Sequence, residues 1–174
     1  YVEVGTMHSF CLDIVLNKGH LIGLPNGLNI LENEQDRIEI LKKAFNEYYG
    51  TLDTSNISND IYRNYLDRIS KNKRQFIDPL LLDDFDEADE QFIRIFEAYN
   101  NMLIEQHLLD FDDILYYAYK LLTEKPQIAK SYTRLYKYIC VDEAQDLNFS
   151  QYEVLKALCK DFRNIMLVGD PKQN

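Results

Sequence analysis

Apolar residues in the middle of the chain recur at spacings of three and four. Ile38, Leu41, Phe45 and Tyr48 form one such series, with Asn33 ahead of it as a helix cap and Gly50 behind it as a stop. Ile61, Tyr62, Tyr65, Leu66 and Ile69 predict a second helix. Phe92, Ile95, Phe96, Tyr99, Met102 and Leu103 predict a third, starting after Asp86. The acidic run Asp83, Asp84, Asp86, Glu87, Asp89 and Glu90 surrounds that start. Carboxylates there favour the positive end of the helix dipole, so the run reads as a helix-start device rather than a metal site. A fourth helix is expected over 113–122, ending before Pro126. Towards the start of the chain, Val2-Glu3-Val4 is a short strand candidate, followed by a helix with Phe10, Ile14 and Val15 inward. Gly19 to Gly27 reads as a loop and a possible subdomain boundary.

The pattern changes near the end. Tyr138-Ile139-Cys140-Val141 is a continuous apolar run that stops at Asp142-Glu143, and Ile165-Met166-Leu167-Val168 stops at Gly169-Asp170. Between them Asn148 and Gln151 have the spacing of a capping box, opening a helix with Val154, Leu155, Leu158 and Cys159 inward. Strand, helix and strand in this order make a βαβ unit, and strands apolar on both faces belong to buried parallel sheets. In such sheets ligands bind outside the carboxyl ends of the strands, where both acidic ends fall. Four apolar residues followed by Asp-Glu are the Walker B pattern: a buried strand fixes one carboxylate for Mg²⁺ and a second polarises the attacking water. Alone, the same run also fits a strand that ends in acidic residues facing solvent.

Composition narrows the class. The chain has 174 residues, 46% of them hydrophobic, enough to bury a core. It has no apolar run long enough to span a membrane and no signal peptide. Cys11, Cys140 and Cys159 lack a CxxC pattern and sit among apolar neighbours, which predicts buried free thiols in a reducing, cytoplasmic setting. The formal charge of −10 argues against a generic nucleic-acid binder, although local charge matters more than the sum. One basic cluster stands out: Arg63, Arg68, Lys71, Lys73 and Arg74. It fits a solvated helix end at least as well as a phosphate contact. A start at Tyr1 and an end after Pro171-Lys172-Gln173-Asn174, with no closing element, give the expectation of a segment from a longer protein.

Four stretches in order strengthen the nucleotide reading. Val141 to Tyr152 resembles motif II of the UvrD/Rep-type superfamily 1 DNA helicases. Leu167-Val168-Gly169-Asp170-Pro171-Lys172-Gln173 resembles their motif III. Gly5-Thr6-Met7-His8-Ser9-Phe10 is similar to their GT(F/M)HSF segment, and Leu109-Asp110-Phe111-Asp112-Asp113-Ile114-Leu115 to their DFxDLL segment. The resemblance implies an α/β, mostly helical fold: the partial parallel sheet of a RecA-like P-loop NTPase domain with an inserted helical subdomain. Residues 1–23 and 109–174 would belong to the first motor domain and 24–108 to the insertion. It also implies ATP and Mg²⁺ as cofactors, translocation on single-stranded DNA and unwinding of duplex DNA. By position, Asp142 would hold Mg²⁺, Glu143 would be the catalytic base and Gln173 would sense the γ-phosphate. Gln145, Asp146 and Asp170 would couple nucleotide state to the motor. Thr6 and His8 would lie on or near the single-strand track, with Arg63, Arg68, Lys71, Lys73 and Arg74 as second-rank contacts. His8 by itself reads equally as a packed helix-start residue. Asp110 and Asp113 read as caps of the helix that follows, in preference to catalytic groups. His20 and His107 have no assigned role.

The sequence contains no G-x-x-x-x-G-K-[ST] loop, the phosphate cradle that the family carries upstream. The second motor domain, with its arginine reaching into the nucleotide site, is likewise not in this stretch, and Asn174 departs from the family's continuation of motif III. The chain alone is therefore expected to be inactive. Two other readings remain: a non-catalytic nucleic-acid or protein interaction module, and a metal-dependent nuclease built on Asp142, Glu143, Asp170 and Lys172.

Overall fold

Asn33 starts the central helix as its spacing predicts. Its side chain accepts a hydrogen bond from the Gln35 amide at 2.8 Å, and Gly50, at φ 74°, closes the last turn. In the computed structural model, residues 5–50, 56–78, 87–135, 139–142, 146–160 and 165–167 are described. They fall into two compact units, one formed by 1–23 with 114–174 and the other by 24–113. The strand expected at Val2-Glu3-Val4, Asp83, Asp84 and Asp86 lie outside the described residues.

The 24–113 unit contains β1 (Asn29–Leu31), α2 (Glu34–Tyr49), α3 (Asn59–Arg74), α4 (Glu87–Glu105) and β2 (Leu108–Asp110), while α1 (Met7–Lys18) belongs to the other unit. Ile38, Leu41, Phe45, Tyr62, Leu66, Ile69, Phe92, Ile95, Phe96, Tyr99 and Leu103 form its core. This matches the predicted apolar faces, except that Tyr48 and Ile61 are exposed. Phe45 meets Tyr62 and Tyr65 edge-on at centroid distances of 5.2 and 4.8 Å. The strands were not predicted. β1 pairs in parallel with β2, Asn29 opposite Leu108 and Leu31 opposite Asp110. His107 makes the pairing possible. At φ 58° it turns the chain out of α4, its carbonyl accepts from the Asn29 amide at 2.9 Å, and its ring Nδ1 lies 2.7 Å from the Asn26 carbonyl oxygen.

The other unit opens with α1 (Met7–Lys18), capped by Thr6, and a single 3₁₀ turn at Gly19–Ile22. Cys11, Ile14 and Val15 are its buried face. α5 (Phe111–Glu124) extends beyond the predicted bounds at both ends, and α6 (Pro126–Leu135) follows at once. Pro126 begins α6 because a first helical residue needs no amide hydrogen. The edge of Phe10 meets Tyr132 of α6 at 5.4 Å. Then come β3 (Ile139–Val141), α7 (Phe149–Leu158) and β4 (Ile165–Leu167). β3 and β4 pair in parallel, with Ile139 opposite Ile165 and Val141 opposite Leu167, so the predicted strand–helix–strand unit is present. The capping box is complete: Asn148 accepts from the Gln151 amide at 2.9 Å, and the Gln151 side chain accepts from the Asn148 amide at 3.1 Å. The chain is thus mostly helical with small parallel strand pairs. No helix among the described residues is long and apolar enough to cross a membrane.

Candidate functional site

The parallel register of β3 and β4 sends the chain past Val141 and Leu167 at the same edge of the pair. Asp142 is the first residue beyond β3, and it is exposed. A carboxylate fixed at a strand end and open to water fits Mg²⁺, which keeps most of its waters and takes one or two carboxylates alongside phosphate oxygens. It does not fit an all-protein metal cage: among the described residues no three His, Cys, Asp or Glu groups converge. Asp146 is also exposed, shortly before the cap of α7. Glu143, Gln145, Asp170, Lys172 and Gln173 lie outside the described residues.

At the start of α1, the Thr6 side chain accepts from the Ser9 amide at 3.1 Å and donates to the Ser9 hydroxyl at 2.8 Å. Thr6 is exposed, and His8 is half-buried in the first turn. The Thr6 hydroxyl therefore performs a structural task whatever else it contacts.

The thiols meet the expectation of burial only in part. Cys11 is buried and its thiol is pushed up to about 12 by that burial; Cys159 is half-buried and raised to about 11 for the same reason. Cys140, expected inside, is exposed. It sits mid-strand in a two-stranded ladder, where successive side chains point to opposite faces and need not both be covered.

The basic cluster also needs correction. Lys73 is 2% exposed, with its amine 2.8 Å from both Asp110 Oδ2 and Asp113 Oδ1, so it cannot meet a phosphate at the surface. Arg63 pairs with Glu34 at 2.8 Å and Asp60 at 3.0 Å, and Arg68 pairs with Asp89 at 3.0 Å while lying over the Phe92 ring. Lys71 and Arg74 share α3 with them, and no geometry groups the five on one binding face. The signal for Lys73 was in the sequence: Tyr62, Leu66, Ile69 and Lys73 are spaced four, three and four, which puts the lysine on the buried face of α3.

Around Lys73 lies a buried polar cluster. Asp110 caps α5 by accepting from the Asp113 amide at 3.0 Å, and Asp113 returns the bond by accepting from the Asp110 amide at 3.0 Å. Both caps act as the sequence suggested. The same Asp110 also accepts from Lys73 at 2.8 Å and from the Tyr99 hydroxyl at 3.3 Å. Arg37 lies 3.9 Å from Asp110 and donates to the Ser70 hydroxyl at 3.1 Å. Burial alone would raise the Asp110 carboxyl, but Lys73 and Arg37 outweigh it and hold the group below its ordinary value. Burial, then the Asp110 charge, drive Asp113 up to about 7. Burial and the Asp110 charge also raise Tyr99, to about 12.

The described residues define a helix-rich α/β protein with an exposed carboxylate at the carboxyl edge of a parallel βαβ unit. The chain belongs to the UvrD/REP helicase N-terminal domain family, which matches residues 1–174. It is 30% identical over 172 residues to a probable DNA helicase II homolog of Mycoplasma capricolum, covering 98% of this chain and 24% of that protein. It is 30% identical over 178 residues to the ATP-dependent DNA helicase PcrA of Bacillus subtilis, covering 99% and 23%. With the ATP-dependent DNA helicase Rep of Buchnera aphidicola from Acyrthosiphon pisum it shares 31% over 179 residues, covering 99% and 26%. The chain thus spans about a quarter of the length of the relatives it matches.

Proposed function

We propose that this chain supplies part of the first, RecA-like motor domain of an ATP-dependent helicase that moves along single-stranded DNA and unwinds duplex. Residues 24–108 are the helical insertion in this reading. The observation that carries it is the parallel β3–β4 register, which puts the exposed Asp142 at the strand edge where α/β folds bind nucleotides. Asp142 holds the metal side of the nucleotide, Glu143 orients and deprotonates the attacking water, and Gln173 contacts the γ-phosphate. Gln145, Asp146 and Asp170 link that site to the rest of the motor, while Thr6 and His8 touch the single strand. Bound Mg²⁺ supplies charge neutralisation on the phosphate oxygens.

Two measurements test this reading. In the full-length helicase, Glu143→Gln should lower DNA-stimulated ATP turnover by at least about 10²-fold, the lower end of what a general base contributes. Asp142→Asn should shift the Mg²⁺ dependence of the same turnover to higher concentration. Normal turnover and Mg²⁺ dependence in both variants would refute the assignment. The 174-residue chain by itself, lacking a phosphate-cradling loop in its sequence, should show no ATP turnover above buffer with or without DNA.

A further inference from the structure

Positive charge is distributed unevenly over this acidic chain. In the 24–113 unit, Arg37, Lys42, Arg63, Arg68, Lys73 and Arg94 each have a carboxylate oxygen within 3.9 Å, while among the described residues Lys43, Lys71 and Arg74 do not; in the other unit Lys156 pairs with Glu153. In the other unit, Lys18, Lys125, Lys130 and Arg134 have none at ion-pair distance among the described residues. The sequence from 125 to 141 contains Lys125, Lys130, Arg134 and Lys137 and no Asp or Glu, in a chain of net charge −10.

These cations adjoin a groove. Lys18 at the end of α1, Leu21 in the 3₁₀ turn, Lys125, and Gln127, Ile128 and Ser131 of α6 line a space of about 350 Å³. Leu21 is 45% exposed, whereas Ile128 is buried beneath. The Ser131 hydroxyl donates to the Gln127 carbonyl at 2.9 Å, which leaves the two amines as the charged donors of the groove. Lys130 and Arg134, four residues apart and exposed, continue the positive strip along α6.

We propose that this groove binds an acidic, amphipathic segment of a protein partner. An aliphatic side chain of the partner rests on Leu21, and flanking carboxylates meet Lys18 and Lys125. Charge complementarity selects the acidic residues, since oppositely charged patches steer association and exclude like-charged partners. The exposed leucine lining the same groove selects a peptide over nucleic acid: a phosphodiester backbone satisfies the amines but brings no aliphatic group to cover it. The proposal is independent of the motor assignment.

The test uses the full-length protein and a fluorescently labelled synthetic peptide of alternating leucine and aspartate pairs, followed by anisotropy. Lys18→Glu with Lys125→Glu should weaken peptide binding at least about tenfold, because two attractions become repulsions. Leu21→Ser should weaken it severalfold while keeping the charges. A peptide with serine in place of leucine should bind the wild-type protein as poorly. Both variants replace surface side chains, and amide protection of α1 and α6 should match wild type, as should DNA-stimulated ATP turnover. The proposal is overturned by a wild-type protein that does not bind the peptide, or by binding that neither variant alters. It is equally overturned if the double variant lowers oligo-dT affinity and reduces its salt slope by about 2, which identifies a phosphate-binding face instead.

Discussion

Lys73→Met should strip amide protection from α3, β2 and the first turn of α5, with a stability loss of about 3–5 kcal/mol in the 24–113 unit. The methionine is similar in length and apolar, so packing changes little. What changes is charge: Asp110 is 0% exposed and loses the amine 2.8 Å away, and Asp113 loses the same partner. Arg37, 3.9 Å from Asp110, is the cation that remains, and it is partly exposed. A buried carboxylate deprived of its partner destabilises strongly, whereas the intact pair contributes little relative to apolar residues of the same volume. Hydrogen–deuterium exchange on the full-length protein reads this locally and does not assume two-state unfolding of a multidomain chain. Adding Asp110→Asn to Lys73→Met should recover part of the protection, since its amide oxygen can still accept from the Asp113 amide and the orphaned charge is removed. If Lys73→Met leaves exchange unchanged, the ion pair does not hold these elements together.

The helices and the βαβ unit were legible because each rests on a local rule. Asn33 and Asn148 announce helix starts through their own side chains, and the three-and-four spacing of Tyr62, Leu66 and Ile69 reports which face turns inward. β3 and β4 were legible as short continuous apolar runs that stop abruptly at acidic residues, although Cys140 shows that β3 is not covered on both faces. What escaped depends on partners far away in the chain. Asn29–Leu31 has too few residues to show a period, and it becomes a strand only because Leu108–Asp110 lies beside it. Lys73 was assigned to a surface cluster by its neighbours Lys71 and Arg74, although its phase on α3 placed it with the apolar residues. Charge outweighed phase in that reading, since a lysine is rarely buried unless paired, and the pairing carboxylates follow 37 residues later at Asp110 and beyond. The caps at Asp110 and Asp113 were legible as caps. Their second task, neutralising Lys73, was not, because no local pattern connects α3 to the start of α5. At the candidate site, Asp142 follows from the apolar run that precedes it, whereas the roles of Glu143, Gln145, Asp170 and Gln173 rest on the family resemblance.

The same cluster gives the 24–113 unit a pH dependence opposite to that of most paired carboxylates. Asp113 is raised to about 7 in the folded chain, above the roughly 3.9 of an unfolded aspartate. Its contribution to stability is therefore fully present below about 4 and is lost as pH rises through about 7. Asp110 is displaced downward, so its contribution is present above about 4 and is lost as pH falls through its folded value. The groups facing the pair do not titrate between. Arg37, displaced upward, stays charged, and Tyr99, raised to about 12, stays neutral; Asp112 acts on Arg37 from the first turn of α5. Between pH 8 and pH 5 one proton is thus taken up at Asp113 while Asp110 remains ionised against Lys73. Amide protection of α3 and of the start of α5, corrected for intrinsic exchange, should rise over that interval by on the order of 2 kcal/mol. Asp113→Asn carries the neutral form permanently and keeps an acceptor for the Asp110 amide, so its protection should be flat across the same interval and exceed wild type at pH 8. The difference between the two curves isolates Asp113 from every other titrating group, which both proteins share. Parallel curves with wild type offset from the variant at both ends would mean that Asp113 is ionised throughout, and that Lys73 at 2.8 Å neutralises both carboxylates at once.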